Sequence, residues 1–416
     1  MQCANQQVSP FELIFHQPNN MKLSLSSTLR PSPSPFCTNC ITSKHSLPVI
    51  KCQQQSTPQK SSWSNLKAAM GKKIRKKGLE DLSDELYEFS SVNLDHAPAR
   101  RQVRSAFIDF HQQLDHVLFK LAPPGIRTEE WYELNSKGLE IFCKSWLPKA
   151  GEQIKGVVCF CHGYGDTCTF LFEGIARRIA GSGYAVYAVD HPGFGLSDGL
   201  HGYISNFDNL VDNVIEQYAK IKARPELQGL PRFIFGQSMG GAVALKTHLK
   251  EPDQWDGMIL AAPMCRVAEE VMPPALMLKV ANCLSNFIPE VKFLPTQDLA
   301  ELAFRNLKYR KLAYYNMISY SGRVRLKTAM EILKVTSEIE SNVDKVCSPL
   351  LVIHGAGDMV TDPNVSKFLY EKASSKDKTL KLYEGGYHSI LEGEPDDTIF
   401  AVFDDIIKWL DARCST

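Results

Sequence analysis

No apolar stretch in this sequence approaches the roughly 18–20 uninterrupted residues that a membrane-spanning helix needs. The compact apolar run behind a basic start that marks a secretory signal is also missing. Acids are nearly absent from the first 78 residues, where Glu12 stands alone against eleven Lys and Arg. Residues 79–416 consequently carry 36 basic against 45 acidic side chains, an acidic balance that argues against nucleic acid as a partner. The twelve cysteines follow no repeating spacing, so a disulfide scaffold is not expected. Cys37 and Cys40 form one C-x-x-C, but no second Cys or His pair follows at metal-ligand spacing, and neither a metal nor another cofactor is expected. Cys159 and Cys161 alternate along an apolar strand and read as small buried hydrophobes in a reducing compartment.

What is present divides into three stretches. Residues 1–60 are rich in Ser, Pro and Gln, carry scattered bases and cannot bury a core. Their composition predicts a disordered leader of the organelle transit type, hence a chloroplast location, with the cytoplasm as the alternative. Residues 61–98 form a linker, with a basic run at 72–77 followed by an acidic stretch at 80–88. Such a run is usually a solvated segment, but it is also able to hold a protein at an anionic lipid surface, so peripheral membrane contact stays open.

From residue 99 to 415 the pattern is that of one α/β domain. Val103, Phe107, Phe110, Leu114 and Leu118 recur at three- and four-residue steps, predicting an amphipathic helix over 99–121. Strands are predicted at 139–146, 156–161, 185–190, 233–235, 258–261, 350–353 and 379–383, alternating with helical segments, the signature of a mostly parallel sheet flanked by helices. Between Met264 and Val346 no clear strand is visible. Leu- and Met-rich helical segments there predict a cap inserted at about 265–340.

The chemistry centres on Arg232-Phe-Ile-Phe-Gly236-Gln-Ser238-Met-Gly240-Gly-Ala, a strand, a G-x-S-x-G turn and a helix. Such a turn crowds the positions two before and two after the serine, which calls for Gly236 and Gly240. A serine hydroxyl is a weak nucleophile until a base takes its proton and an acid orients that base. In this strand–turn–helix context the chain order is Ser, acid, His. Only His248, His354 and His388 lie downstream. His248 falls in the helix after the turn and His354 precedes the candidate acids, so His388, in a glycine loop after the last strand, remains. Asp358 sits just past the preceding strand; Asp362, before Pro363, is its rival and reads better as a helix start. The oxyanion of a tetrahedral intermediate needs backbone donors, for which the Met239 amide and the Tyr164 amide, in His162-Gly-Tyr-Gly-Asp, are the candidates. His162, His191, His201 and Asp198 read as structural.

Together, the helix at 100–104, Thr128-Glu-Glu-Trp-Tyr-Glu-Leu-Asn, His162-Gly-Tyr-Gly, Asp190-His-Pro-Gly-Phe-Gly-Leu-Ser, the Ser238 motif and His354-Gly-Ala-Gly-Asp resemble the plant monoacylglycerol lipase and caffeoylshikimate esterase family, also called lysophospholipase-like. The resemblance covers about residues 99–412. It implies an α/β-hydrolase fold with a helical lid after Met264, a triad of Ser238, Asp358 and His388, and oxyanion amides from Tyr164 and Met239. The expected substrate is a monoacylglycerol or lysophospholipid ester, cleaved through an acyl-enzyme. A caffeoylshikimate-type phenolic esterase is the alternative, as is an acyltransferase, to which the one H-x-x-x-x-D match, His248 to Asp253, lends little. A ligand-binding protein on the same fold, without catalysis, is the rival of another class.

Overall fold

The computed structural model describes residues 92–111, 113–267, 272–292 and 298–414. The leader at 1–60, with its transit-peptide reading, and the linker up to residue 91 lie outside them.

The chain enters through α1 (Ala97–His111), which buries Val103 and Phe107 as the apolar spacing predicts. The helix does not continue to residue 121. His116 accepts the Leu118 amide on Nδ1 at 3.2 Å and so caps a separate short helix, α2 (Val117–Lys120). Leu114 and Leu118 are buried all the same. The apolar periodicity therefore reported which residues face the core, while a polar cap, invisible to that periodicity, broke the helix.

Next come β1 (Arg127–Leu134), β2 (Glu140–Leu147), β3 (Gly156–Cys161), α3 (Leu171–Ala180), β4 (Tyr184–Val189), α4 (Phe207–Lys222), β5 (Arg232–Gln237), α5 (Met239–Lys250) and β6 (Gly257–Ala261). Helices α6 (Ala275–Phe287), α7 (Leu299–Ala303), α8 (Leu307–Ala313) and α9 (Leu326–Ser341) separate β6 from β7 (Leu350–Gly355). The domain closes with α10 (Pro363–Lys372), β8 (Lys378–Tyr383) and α11 (Asp396–Cys414). The sheet order is β1-β2-β4-β3-β5-β6-β7-β8, antiparallel at β1–β2 and β2–β4 and parallel elsewhere. This is the expected α/β-hydrolase fold.

The seven strands read from sequence are all present, with ends moved by a residue or two. The eighth, β1, is not legible as a strand because Arg127, Glu129, Glu130 and Glu133 break its apolar alternation. It pairs with β2 alone, and an edge strand dressed in charge resists pairing with another chain. Strands β3, β4, β6 and β7 are buried along their whole length, which is why they read as unbroken apolar runs. In such a sheet the parallel strands send their carboxyl ends to one edge, where ligand sites of open α/β sheets form.

Candidate active site

Ser238 occupies the turn between β5 and α5 with φ 54° and ψ −120°, a backbone conformation that a residue with a Cβ rarely adopts. The surroundings hold it there. Its amide donates to Ala261 O at 2.9 Å, and its carbonyl accepts from Gly241 N at 2.8 Å and Met264 N at 3.0 Å. The turn is so tight that a Cβ on Gly236 would come within 2.3 Å of Gly240 O, and one on Gly240 within 1.9 Å of Cys161 O. Both glycines singled out in the sequence are thus sterically required.

The loop after β3 lies against the serine: a Cβ on Gly163 would sit 3.4 Å from Ser238 Cβ. Tyr164 follows in that loop, its hydroxyl donating to Gly202 O at 3.1 Å and its ring set edge-on to Phe194 and Tyr320. Met239 is the first residue of α5, at the positive end of that helix's dipole. His162 is structural, Nδ1 donating to Gly163 O at 2.8 Å and Nε2 accepting the His191 amide at 3.0 Å. Behind it, the buried Asp190 carboxylate ties two loops together by accepting from Cys168 N and Leu196 N. Arg100 braces the same region through Gly195 O and Ser197 O.

Asp358 lies just beyond β7 and is almost wholly buried. His388, in the loop after β8, donates from Nδ1 to Asp358 Oδ2 at 2.7 Å. Asp362, the rival acid, instead caps α10 by accepting from Asn364 N at 2.8 Å. His248 is engaged at the other end of α5 with Ser348 and the Cys347 amide. Burial alone would raise the Asp358 carboxyl, but the His388 charge and hydrogen bonds from His354 and His388 hold it well below the ordinary carboxylate range. Burial alone would likewise depress the His388 imidazole; the charge of Asp358, its hydrogen bond and the charge of Glu392 raise it above the ordinary value. Cys159 is pushed up to about 12 by burial, as expected of an inert core thiol.

Three groups missed in the sequence gather here. Thr361 Oγ1 lies 2.9 Å from Asp358 Oδ2 and 3.2 Å from His388 Nδ1. His354, set aside for coming too early in the chain, touches Asp358 Oδ2 at 2.9 Å through Nε2. The only cue to it was the four-residue spacing of the two. Glu392, which follows His388 in the chain and so falls outside the Ser, acid, His order, is buried and accepts from Gln237 Nε2 at 3.2 Å, one residue before Ser238. Burial and the neighbouring charge of Asp166 push its carboxyl up to about 7. Among the described residues no three His, Cys, Asp or Glu side chains are grouped to hold a metal ion.

Residues 152–396 match the family model described as serine aminopeptidase, S33. A caffeoylshikimate esterase of Arabidopsis thaliana is 35% identical over 290 residues, covering 70% of this chain and 87% of that protein. A human monoglyceride lipase is 30% identical over 285 residues, covering 68% of this chain and 90% of that protein. Among solved structures, a soluble variant of the Saccharomyces cerevisiae monoglyceride lipase superposes with a TM-score of 0.61 at 24% identity, over 71% of this chain and 97% of that one, a likeness of fold.

Proposed function

The chain belongs to the serine aminopeptidase S33 family of α/β-hydrolases and is an ester hydrolase of the monoglyceride lipase and caffeoylshikimate esterase type, and from that premise we propose that it cleaves monoacylglycerol, or a lysophospholipid, through an acyl-enzyme. Ser238 Oγ attacks the ester carbonyl while His388 Nε2 takes its proton, and Asp358 stabilises the resulting imidazolium. The amides of Met239 and Tyr164 hold the oxyanion. The ester C–O bond then breaks, His388 returns the proton to the departing alcohol oxygen, and water, deprotonated by the same ring, releases the fatty acid.

The observation that carries this reading is the buried His388–Asp358 bond of 2.7 Å, made by the loops that follow β7 and β8, at the same edge of the sheet as the strained Ser238 turn that follows β5. A lipid ester is favoured over a phenolic one by α6, where Leu276 and Phe287 are 74% and 78% exposed and Met277, Val280 and Leu284 are also in solvent. This apolar face suits peripheral contact with a lipid surface. The phenolic alternative rests on the 35% identity to the caffeoylshikimate esterase. A plastid location is part of the same proposal, supported by leader composition, and a fluorescent fusion of residues 1–78 that stays in the cytoplasm would rule it out.

The test is hydrolysis of monoacylglycerol, lysophosphatidylcholine and caffeoylshikimate side by side, with Ser238→Ala alongside. Turnover of a lipid ester, lost in Ser238→Ala, is expected. Turnover of caffeoylshikimate alone would replace the substrate, and no turnover even of an activated ester would leave the non-catalytic binding reading.

A further inference from the structure

Resting on the triad reading above, we propose that His354 is a positioning residue of the reaction: a second imidazole that holds the Asp358 carboxylate in line with His388 throughout the catalytic cycle. Asp358 Oδ1 accepts from the amides of Val360 at 2.7 Å and Thr361 at 3.0 Å, which fix the carboxylate to its own turn. Oδ2, the oxygen hydrogen-bonded to His388, also receives His354 Nε2 at 2.9 Å. His354 Nε2 also lies 3.1 Å from the Thr361 carbonyl and 3.3 Å from the Thr361 hydroxyl, which itself donates to Asp358 Oδ2. A carboxylate and a carbonyl only accept, so Nε2 carries the proton and His354 is fixed as a donor. Its Nδ1 is hydrogen-bonded to Ser366 Oγ on α10 at 2.7 Å. His354 and Ser366 are both fully buried.

A chain of hydrogen bonds from Ser366 through His354 to Asp358 thus anchors the carboxylate to α10. Without His354, Asp358 keeps its amide donors and the Thr361 hydroxyl but loses a donor that shares its negative charge. The more concentrated charge on Oδ2 then binds the His388 proton more tightly. The titratable groups facing this arrangement are Asp358 and His388 themselves and Glu392, whose charge also acts on His388; Thr361 and Ser366 are neutral.

The experiment uses the full chain and compares His354→Leu, His354→Gln and Ser366→Ala with wild type, reading kcat, KM, the pH profile of kcat/KM and thermal midpoint. His354→Leu fills the space without a donor. It is expected to lower kcat about tenfold at unchanged KM and to move the acid limb up by roughly half a pH unit. His354→Gln, whose amide can donate towards Oδ2, is expected to restore both. Ser366→Ala changes both in the same direction by less, and keeps the proposal testable should His354→Leu fail to fold. Wild-type kcat and pH profile in His354→Leu, or equal impairment in the Leu and Gln variants, would overturn it. If instead Ser238→Ala or Asp358→Asn retained full activity, the triad reading itself would have failed, a result separable from loss of this positioning role.

Discussion

At the residue scale, two titrations follow from burial and charge. A neutral imidazole is the working base, so activity rises as pH passes through the His388 pKa. Because Asp358 raises that value, the acid limb of kcat/KM is expected above the free-imidazole value of about 6.5. Asp358→Asn removes the charge, so the limb should move to lower pH while kcat drops about ten-thousand-fold. A pH–rate series on both proteins checks the sign. Glu392 is a stability matter. Its folded carboxyl titrates near 7, above its value in the unfolded chain, so from about pH 4.5 to 7 the folded state retains a proton that the unfolded chain has released. Stability from this group falls through that window and stays lost above it. Glu392→Gln, neutral at every pH, is therefore expected to be more stable than wild type at pH 8, by roughly 2–3 kcal/mol, and to converge with it near pH 4. Thermal unfolding at the two pH values would show the convergence, and equal midpoints at pH 8 would mean that burial does not raise the Glu392 carboxyl.

At the scale of elements, the turn from β5 into α5 is held by backbone contact rather than by side chains. A methyl on Gly240 would lie 1.9 Å from Cys161 O, and one on Gly236 2.3 Å from Gly240 O. Neither neighbour is a flexible side chain that can yield. Gly240→Ala should cost more than about 3 kcal/mol, whereas an alanine at Gly138, which has open space around its Cα but a positive φ of 74°, should cost only about 1 kcal/mol. Denaturant midpoints of the two variants test the contrast. The same scale explains what sequence pattern could and could not reach. Buried parallel strands announce themselves as apolar runs, so β3, β4, β6 and β7 were legible. β1 was hidden by its charges, and the break after α1 by a histidine cap whose partner is a backbone amide.

For the whole molecule, the segment between β6 and β7 adds an exposed apolar helix, α6, to an otherwise acidic domain. If that face meets lipid, Leu276→Glu with Phe287→Glu should lower hydrolysis of vesicle-borne monoacylglycerol about tenfold while leaving a short, water-soluble ester unaffected. Equal loss on both substrates would point to damaged packing and against a lipid contact. Sequence alone determined seven of the eight strands, the G-x-S-x-G turn and the chain order of the candidates Ser238, Asp358 and His388, because each depends on local patterns: apolar runs, glycines two residues either side of a serine, and a loop after a given strand. Only the tertiary structure decided that His354, Thr361 and Glu392 gather around those residues. Their positions follow from strand pairing and from loops folding back over one sheet edge. Hydrogen bonds and charges act through a few ångströms of space, a distance that separation along the chain does not encode.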